Sequence, residues 1–298
     1  MGKDYLIRAI LGENQARVFA LRTTDTVRQA QVNHNTAPVA TAALGRTLTM
    51  GLVLGAMLKG EETITVQVKG DGPLEGIVVS ADSQGRVKGY VGNPHVDLPL
   101  NQAGKLSVGK AVGSGTLHVI RDIGLKEAYQ GTVPLQTGEI GDDFAYYFTA
   151  SEQVPSAVVL GVLIDTDLAP LGSGGLIVQL LPDAVHDDAF ITLLEERLTA
   201  MPPVSSLFAD GKTPEEIVAE VFAGIKLNVI DWAPVAFHCD CSQERFERGL
   251  IALGREELQQ FVQEGETLET VCRFCSKKYY YTVEHLEKLL RELGKAAE

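Results

Sequence analysis

All four cysteines of this 298-residue chain fall in two tight pairs near its C-terminal end, Cys239-Asp240-Cys241 and Cys272-Arg273-Phe274-Cys275. No other feature constrains the fold as much. The pairs must converge on one metal ion or form one redox device. Four thiolates make a tetrahedral cage for Zn²⁺. The same sulfurs, once oxidised, can close into disulfides and let a metal go. A segment of about 60 residues with few large apolar groups makes a weak core by itself. A structural metal would add about 10–16 kcal/mol of folding free energy. The pattern predicts a C-terminal metal-binding domain over residues 234–298, with zinc the preferred ion and Cys239, Cys241, Cys272 and Cys275 as ligands. His238 and His285 are alternative ligands, expected beside the site rather than in it. Four cysteines allow three disulfide pairings, and the spacing does not choose among them.

Around these pairs the expected elements are short. Ser242 is placed to cap a helix over 243–252, and 255–263 reads as another. Two strands flank the Cys272–Cys275 turn, and Thr282 caps a helix over 283–294 with Leu286, Leu289 and Leu290 inward. The basic residues Arg245, Arg248, Arg273, Lys277 and Lys278 are close in sequence and available to offset thiolate charge.

Residues 1–181 read as an α+β core with β-sheets packed on helices. Strand-like segments occur at 4–10, 16–23, 63–69, 75–81, 85–91, 115–121 and 157–164, with Leu176 to Leu181 as a last strand. Thr63-Ile64-Thr65-Val66-Gln67-Val68 alternates as a strand with one wet face does. A helix capped by Thr36 is expected to run to about Lys59, and a second covers 139–152. Gly45, Gly51 and Gly55 each cost the first helix about 1 kcal/mol relative to Ala. It therefore needs close packing to survive. Gly172-Ser173-Gly174-Gly175 reads as a tight turn before a strand. It lacks the Lys of a phosphate-cradling loop, and no nucleotide site is expected.

Residues 182–233 read as an amphipathic helical linker. Phe190, Leu193, Leu194 and Leu198 make one apolar stripe, and Ile217, Val221 and Phe222 another, with Thr213 and Glu216 as a capping box. Such short helices are marginal alone and depend on docking.

The net charge of −13 is concentrated in the linker, where residues 181–230 hold nine Asp/Glu against three Lys/Arg. Neither this stretch nor residues 239–298, with twelve acidic and nine basic residues, has the basic face that neutralises phosphates, which argues against nucleic acid as a partner. Lys277-Lys278-Tyr279-Tyr280-Tyr281 reads as an edge strand. The apolar run Thr47 to Leu58 is too short to span a bilayer and reads as a buried helix. With no signal peptide in evidence at Met1 to Ile7, a cytoplasmic location is expected.

Phe237-His238-Cys239-Asp240-Cys241-Ser242-Gln243-Glu244-Arg245, Cys272-Arg273-Phe274-Cys275, Tyr147 to Ser156 and Gly172 to Gln179 together resemble the heat shock protein 33 family of redox-regulated holdase chaperones. The likeness runs essentially through the whole chain. It implies a chaperone that uses no ATP and is not an enzyme. The reduced, zinc-bound form is inactive. Oxidation, by family precedent to Cys239–Cys241 and Cys272–Cys275 disulfides, releases zinc and unfolds the C-terminal domain and linker. Surface that binds unfolding client proteins then appears. The resemblance also implies a homodimer. Two other readings of the cysteines stand beside it: a thiol–disulfide oxidoreductase, and a zinc-ribbon adaptor with no redox response.

Overall fold

The computed structural model describes residues 3–124 and 128–295. The Met1-Gly2 start lies outside them. Contacts divide the chain into two units, Met1–His238 and Cys239–Glu298.

The first unit runs β1 (Tyr5–Leu11), β2 (Ala16–Arg22), α1 (Thr24–His34), α2 (Pro38–Gly55), β3 (Thr63–Gly70), β4 (Ile77–Asp82) and β5 (Arg86–Val91). It continues α3 (Val108–Val112), β6 (Gly115–Asp122), β7 (Tyr129–Pro134), α4 (Gly141–Ala150), β8 (Ser156–Ile164) and β9 (Pro170–Leu180). Then follow α5 (Asp188–Ala200), α6 (Val204–Ala209), α7 (Pro214–Val221), β10 (Leu227–Pro234) and β11 (Ala236–Phe237). Two sheets result, ordered β10-β1-β2-β9-β8 and β11-β5-β4-β3-β6-β7. All pairings are antiparallel except the short β11–β5 contact.

Helix α2 is packed against strands of both sheets, and nearly all its residues are buried. Its glycines show why. A Cβ on Gly51 would stand 2.7 Å from Val79 Cγ1, and one on Gly55 2.5 Å from the carbonyl oxygen of Asp82. The propensity cost of glycine is offset by backbone-close packing on the six-stranded sheet. The run Thr47 to Leu58 is thus a core element, and no described helix is long and apolar enough to cross a membrane. The helix starts differently from expectation: Ala37 is its N-cap, Pro38 fills the first turn, and Thr36 Oγ1 bonds Thr41 Oγ1 at 2.6 Å instead of capping.

The other face of the five-stranded sheet is covered by α5, α6 and α7. Phe190, Leu194, Ile217, Val221 and Phe222 lie in one cluster with Ile7, Ala9, Val18, Leu176 and Val178 of the strands. Thr213 and Glu216 form the expected capping box. Gly172 to Gly175, expected as a turn, lies inside β9. A Cβ on Gly172 would meet Ser205 O at 2.1 Å, and one on Gly174 would meet the Phe208 ring at 2.2 Å. These glycines make room for α6 on the strand. Six elements of this unit had no counterpart in the sequence analysis: α1, α3, β7, α6, β10 and β11. Strand β10 lies at the C-terminal end of the expected helical linker and pairs with β1. Its residues are mostly exposed, so it carries no apolar alternation.

The second unit contains α8 (Gln243–Leu253), α9 (Arg255–Glu264), β12 (Leu268–Val271), β13 (Lys278–Tyr281) and α10 (Val283–Lys295). Its core is small: Leu250, Leu258, Tyr279, Tyr281, Leu286 and Leu289 are buried, with partly buried neighbours such as Phe246 and Leu290. Ser242 accepts from Arg245 N, and Thr282 Oγ1 from His285 N, as helix caps.

Candidate metal centre

Cys239 and Cys241 sit in the extended stretch just before α8. Cys272 and Cys275 sit in the turn that joins β12 to β13. That turn is tied by Cys272 N to Lys277 O at 2.9 Å and Ser276 N to Cys272 O at 2.7 Å. Ser276 takes a φ of 60° to close it. The backbone N–H of Lys277 is directed to Cys275 Sγ, and that of Cys241 to Cys239 Sγ. Both pairs therefore form tight chelating loops with their sulfurs turned the same way.

The two loops meet. Cys239 Sγ lies 3.7 Å from Cys272 Sγ, and Cys241 Sγ lies 3.4 Å from Cys275 Sγ. All four sulfurs lie within 4.8 Å of one another, and all four cysteines are free thiols. A tetrahedral Zn²⁺ with Zn–S bonds of about 2.3 Å has S···S edges of about 3.8 Å. The cluster has the size and donor set of such a cage. Neither His238 nor His285 belongs to it. The His285 ring is engaged by Glu247 at 3.0 Å.

Tyr279 braces the cage. Its hydroxyl reaches Cys241 O at 2.9 Å and Cys241 Sγ at 3.2 Å. Its ring packs on Phe246 with centroids 5.0 Å apart, and Lys277 Nζ lies over it at 5.1 Å. Burial pushes the Cys239 thiol well up, with the neighbouring sulfurs adding to it. Burial likewise moves Cys275 to about 11. Cys241 goes the other way: burial opposes its ionisation, but the bond from Tyr279 and the other three cysteines outweigh it. Thiols this close resist joint ionisation, and a bound dication removes that repulsion. Of the basic residues expected to offset charge, Arg245 pairs with Asp240 and Lys278 with Glu269. Lys277 is placed over the Tyr279 ring.

Comparison with known proteins decides the family. A model of the Hsp33 protein family matches residues 4–282. The chain belongs to the Hsp33 family. Among Hsp33 relatives, the 33 kDa chaperonin of Caldanaerobacter subterraneus subsp. tengcongensis is 50% identical over 291 residues, 97% of this chain and 98% of that protein. The 33 kDa chaperonin of Bacillus subtilis is 48% identical over 287 residues, 96% of this chain and 98% of its own length. The crystal structure of the Hsp33 homologue from Thermotoga maritima superposes with a TM-score of 0.91 at 33% identity, covering the whole of both chains.

The geometry also bears on the oxidoreductase reading. A thioredoxin-like C-x-x-C opens a helix. Here the pair lies in a β-hairpin turn and is followed by β13, so no helix N-terminus activates either thiol.

Proposed function

We propose that this chain is an ATP-independent holdase chaperone of the cytoplasm, without enzymatic activity, switched on by oxidation of Cys239, Cys241, Cys272 and Cys275. The observation that carries the reading is the four-thiol cluster within 4.8 Å, set in a unit whose apolar core is small. Zn²⁺ bound there would keep the sulfurs as thiolates and contribute folding free energy to residues 234–298.

Oxidation acts on this chain's own atoms. Two thiolates give two electrons to one hydrogen peroxide: its O–O bond breaks as the S–S bond forms, and two protons from solvent complete two waters; the second pair and a second peroxide do the same. Disulfides Cys239–Cys241 and Cys272–Cys275 are the family expectation. Cross-pair sulfurs lie 3.7 and 3.4 Å apart, well beyond an S–S bond of about 2.05 Å, so forming disulfides from these thiols requires the loops to move. That requirement supports loss of the C-terminal fold on oxidation. The linker, residues 182–233, holds α5 to α7 on the five-stranded sheet through one apolar stripe per helix. Its release would uncover that stripe and the sheet face, which together suit unfolding client proteins. The chain is expected to act as a homodimer and to need neither nucleotide nor nucleic acid.

The test combines three readouts before and after peroxide at elevated temperature: zinc per chain, free thiols, and light scattering of a heat-aggregating client. One zinc lost, four thiols consumed and aggregation suppressed only after oxidation support the switch. Retained zinc, or equal suppression in both states, favours a constitutive zinc module. Peptide mapping of the oxidised chain decides the pairing.

A further inference from the structure

At the C-terminal end of α2, between strands of both sheets, lies a cavity of about 470 Å³. That is the size of a small-molecule site. Its floor is apolar: Leu54, Leu58, Ile64, Val119 and Phe148 are all buried. Among the described residues its wall carries two guanidinium and two carboxylate groups. Among the described residues, three of these four take part in an ion pair or a hydrogen bond to a carboxylate, although Arg121 Nε, like that of Arg17, is buried without a partner. Arg121 pairs with Glu62 at 2.8 Å, and Glu152 accepts from Tyr147 Oη at 2.7 Å.

Arg17 is the exception. It is half-buried, and its Nη2 donates to the neutral Gln179 Oε1 at 2.6 Å. Its Nε is buried with no hydrogen-bond partner. Its Cζ lies over the Phe19 ring at 5.1 Å. Among the described residues no carboxylate lies within ion-pairing distance of it. Burial, together with the charge of Arg8, works against its charged form. A guanidinium with five donors and no anionic partner, beside an apolar floor, gains most from a single negative charge on an apolar body. A dianion fits less well, because Glu62 and Glu152 share the wall.

We propose that this cavity binds an amphipathic monocarboxylate, with the carboxylate on Arg17 and the alkyl chain on the floor formed by α2, β3, β6 and α4. None of the residues lining it belongs to the cysteine cluster.

The test is calorimetric titration of the reduced, zinc-loaded full chain with decanoate, decanol, decyl phosphate and decyltrimethylammonium, each below its micelle concentration. Decanoate is expected to bind once per chain, at least tenfold tighter than decanol. Decyl phosphate is expected to be weaker than decanoate, and the cation weakest. Arg17→Met should reduce decanoate to the affinity of decanol, while Arg86→Met, on the exposed end of β5, should change nothing. Met57→Trp, on the half-buried rim, narrows the floor and should weaken decanoate and decanol alike by tenfold or more. It keeps the test decisive if Arg17→Met does not fold. Equal affinity for decanoate and decanol, tighter binding of decyl phosphate, no binding of decanoate, or indifference to both Arg17→Met and Met57→Trp each overturns the proposal.

Discussion

The region around α2 and the unit Cys239–Glu298 are stabilised in opposite ways. Helix α2 is buried nearly end to end between strands of two sheets, and large side chains such as Phe19, Leu44 and Leu48 are almost wholly removed from water. Among the described residues the C-terminal unit has an apolar core of six buried side chains, and it brings four free thiols together. Apolar burial around α2 is spread over many side chains, so no single chemical event removes it. A thiolate cage depends on a few atoms that one oxidant can reach. The lesson is that a unit with a broad apolar core and one with a small core beside four clustered thiols can share a chain, and on the proposed reading only the second would respond to redox chemistry.

The sharpest way to break this contrast is to remove the metal. Chelation of the reduced chain should cost the C-terminal unit about 10–16 kcal/mol of binding free energy. Amide exchange should show α8, α9 and α10 losing protection while β2, β9 and α2 keep theirs. Unchanged protection in α8 to α10 would refute a metal-dependent fold. Replacing Cys272 with Ser should act in the same direction, with weakened zinc binding in the purified chain; unchanged zinc content counts against the four-ligand site.

The converse substitution is Leu48→Ala. It should destabilise the first unit by about 2–5 kcal/mol, read as a lower midpoint in denaturant, and leave zinc content at the wild-type value. Leu194→Asp probes the boundary between the two behaviours. It places a carboxylate in the cluster under α5, and local undocking should limit its cost to about 2–3 kcal/mol. Proteolysis within residues 188–200 should quicken, and the reduced chain should protect a heated client better than wild type. Protection equal to wild type would sink the undocking step. The smallest effect is expected from the caps. Thr213→Ala and Ser242→Ala should each cost about 1 kcal/mol, the first in α7 and the second in α8, resolved by exchange in each helix.

Much of this was legible in the residues. The alternation of Thr63 to Val68 became β3, with Ile64, Val66 and Val68 inward. The capping signals at Thr213, Ser242 and Thr282 marked real helix starts, because a hydroxyl accepting a nearby N–H is a local event. Elements without a local signature were not legible. Helix α1 contributes Thr24, Thr26, Val27 and Ala30 to the interior, too polar a set to register as an apolar stripe. Strand β10 buries almost nothing and exists because β1 offers it a free edge. The glycines at 172–175 resemble turn residues until a helix is seen to lie on them.

The sequence by itself determined the two tight cysteine pairs, the alternating strands and the amphipathic helices α5 and α7. Each depends on residues a few positions apart, where spacing and side-chain chemistry act directly. Only the tertiary structure decided that Cys239 faces Cys272 and Cys241 faces Cys275, that β10 closes on β1, and that Arg17 stands beside an apolar cavity without an anion. Those outcomes depend on which distant backbone edges and apolar faces find each other, and that choice is made by burial and hydrogen bonding across the whole chain.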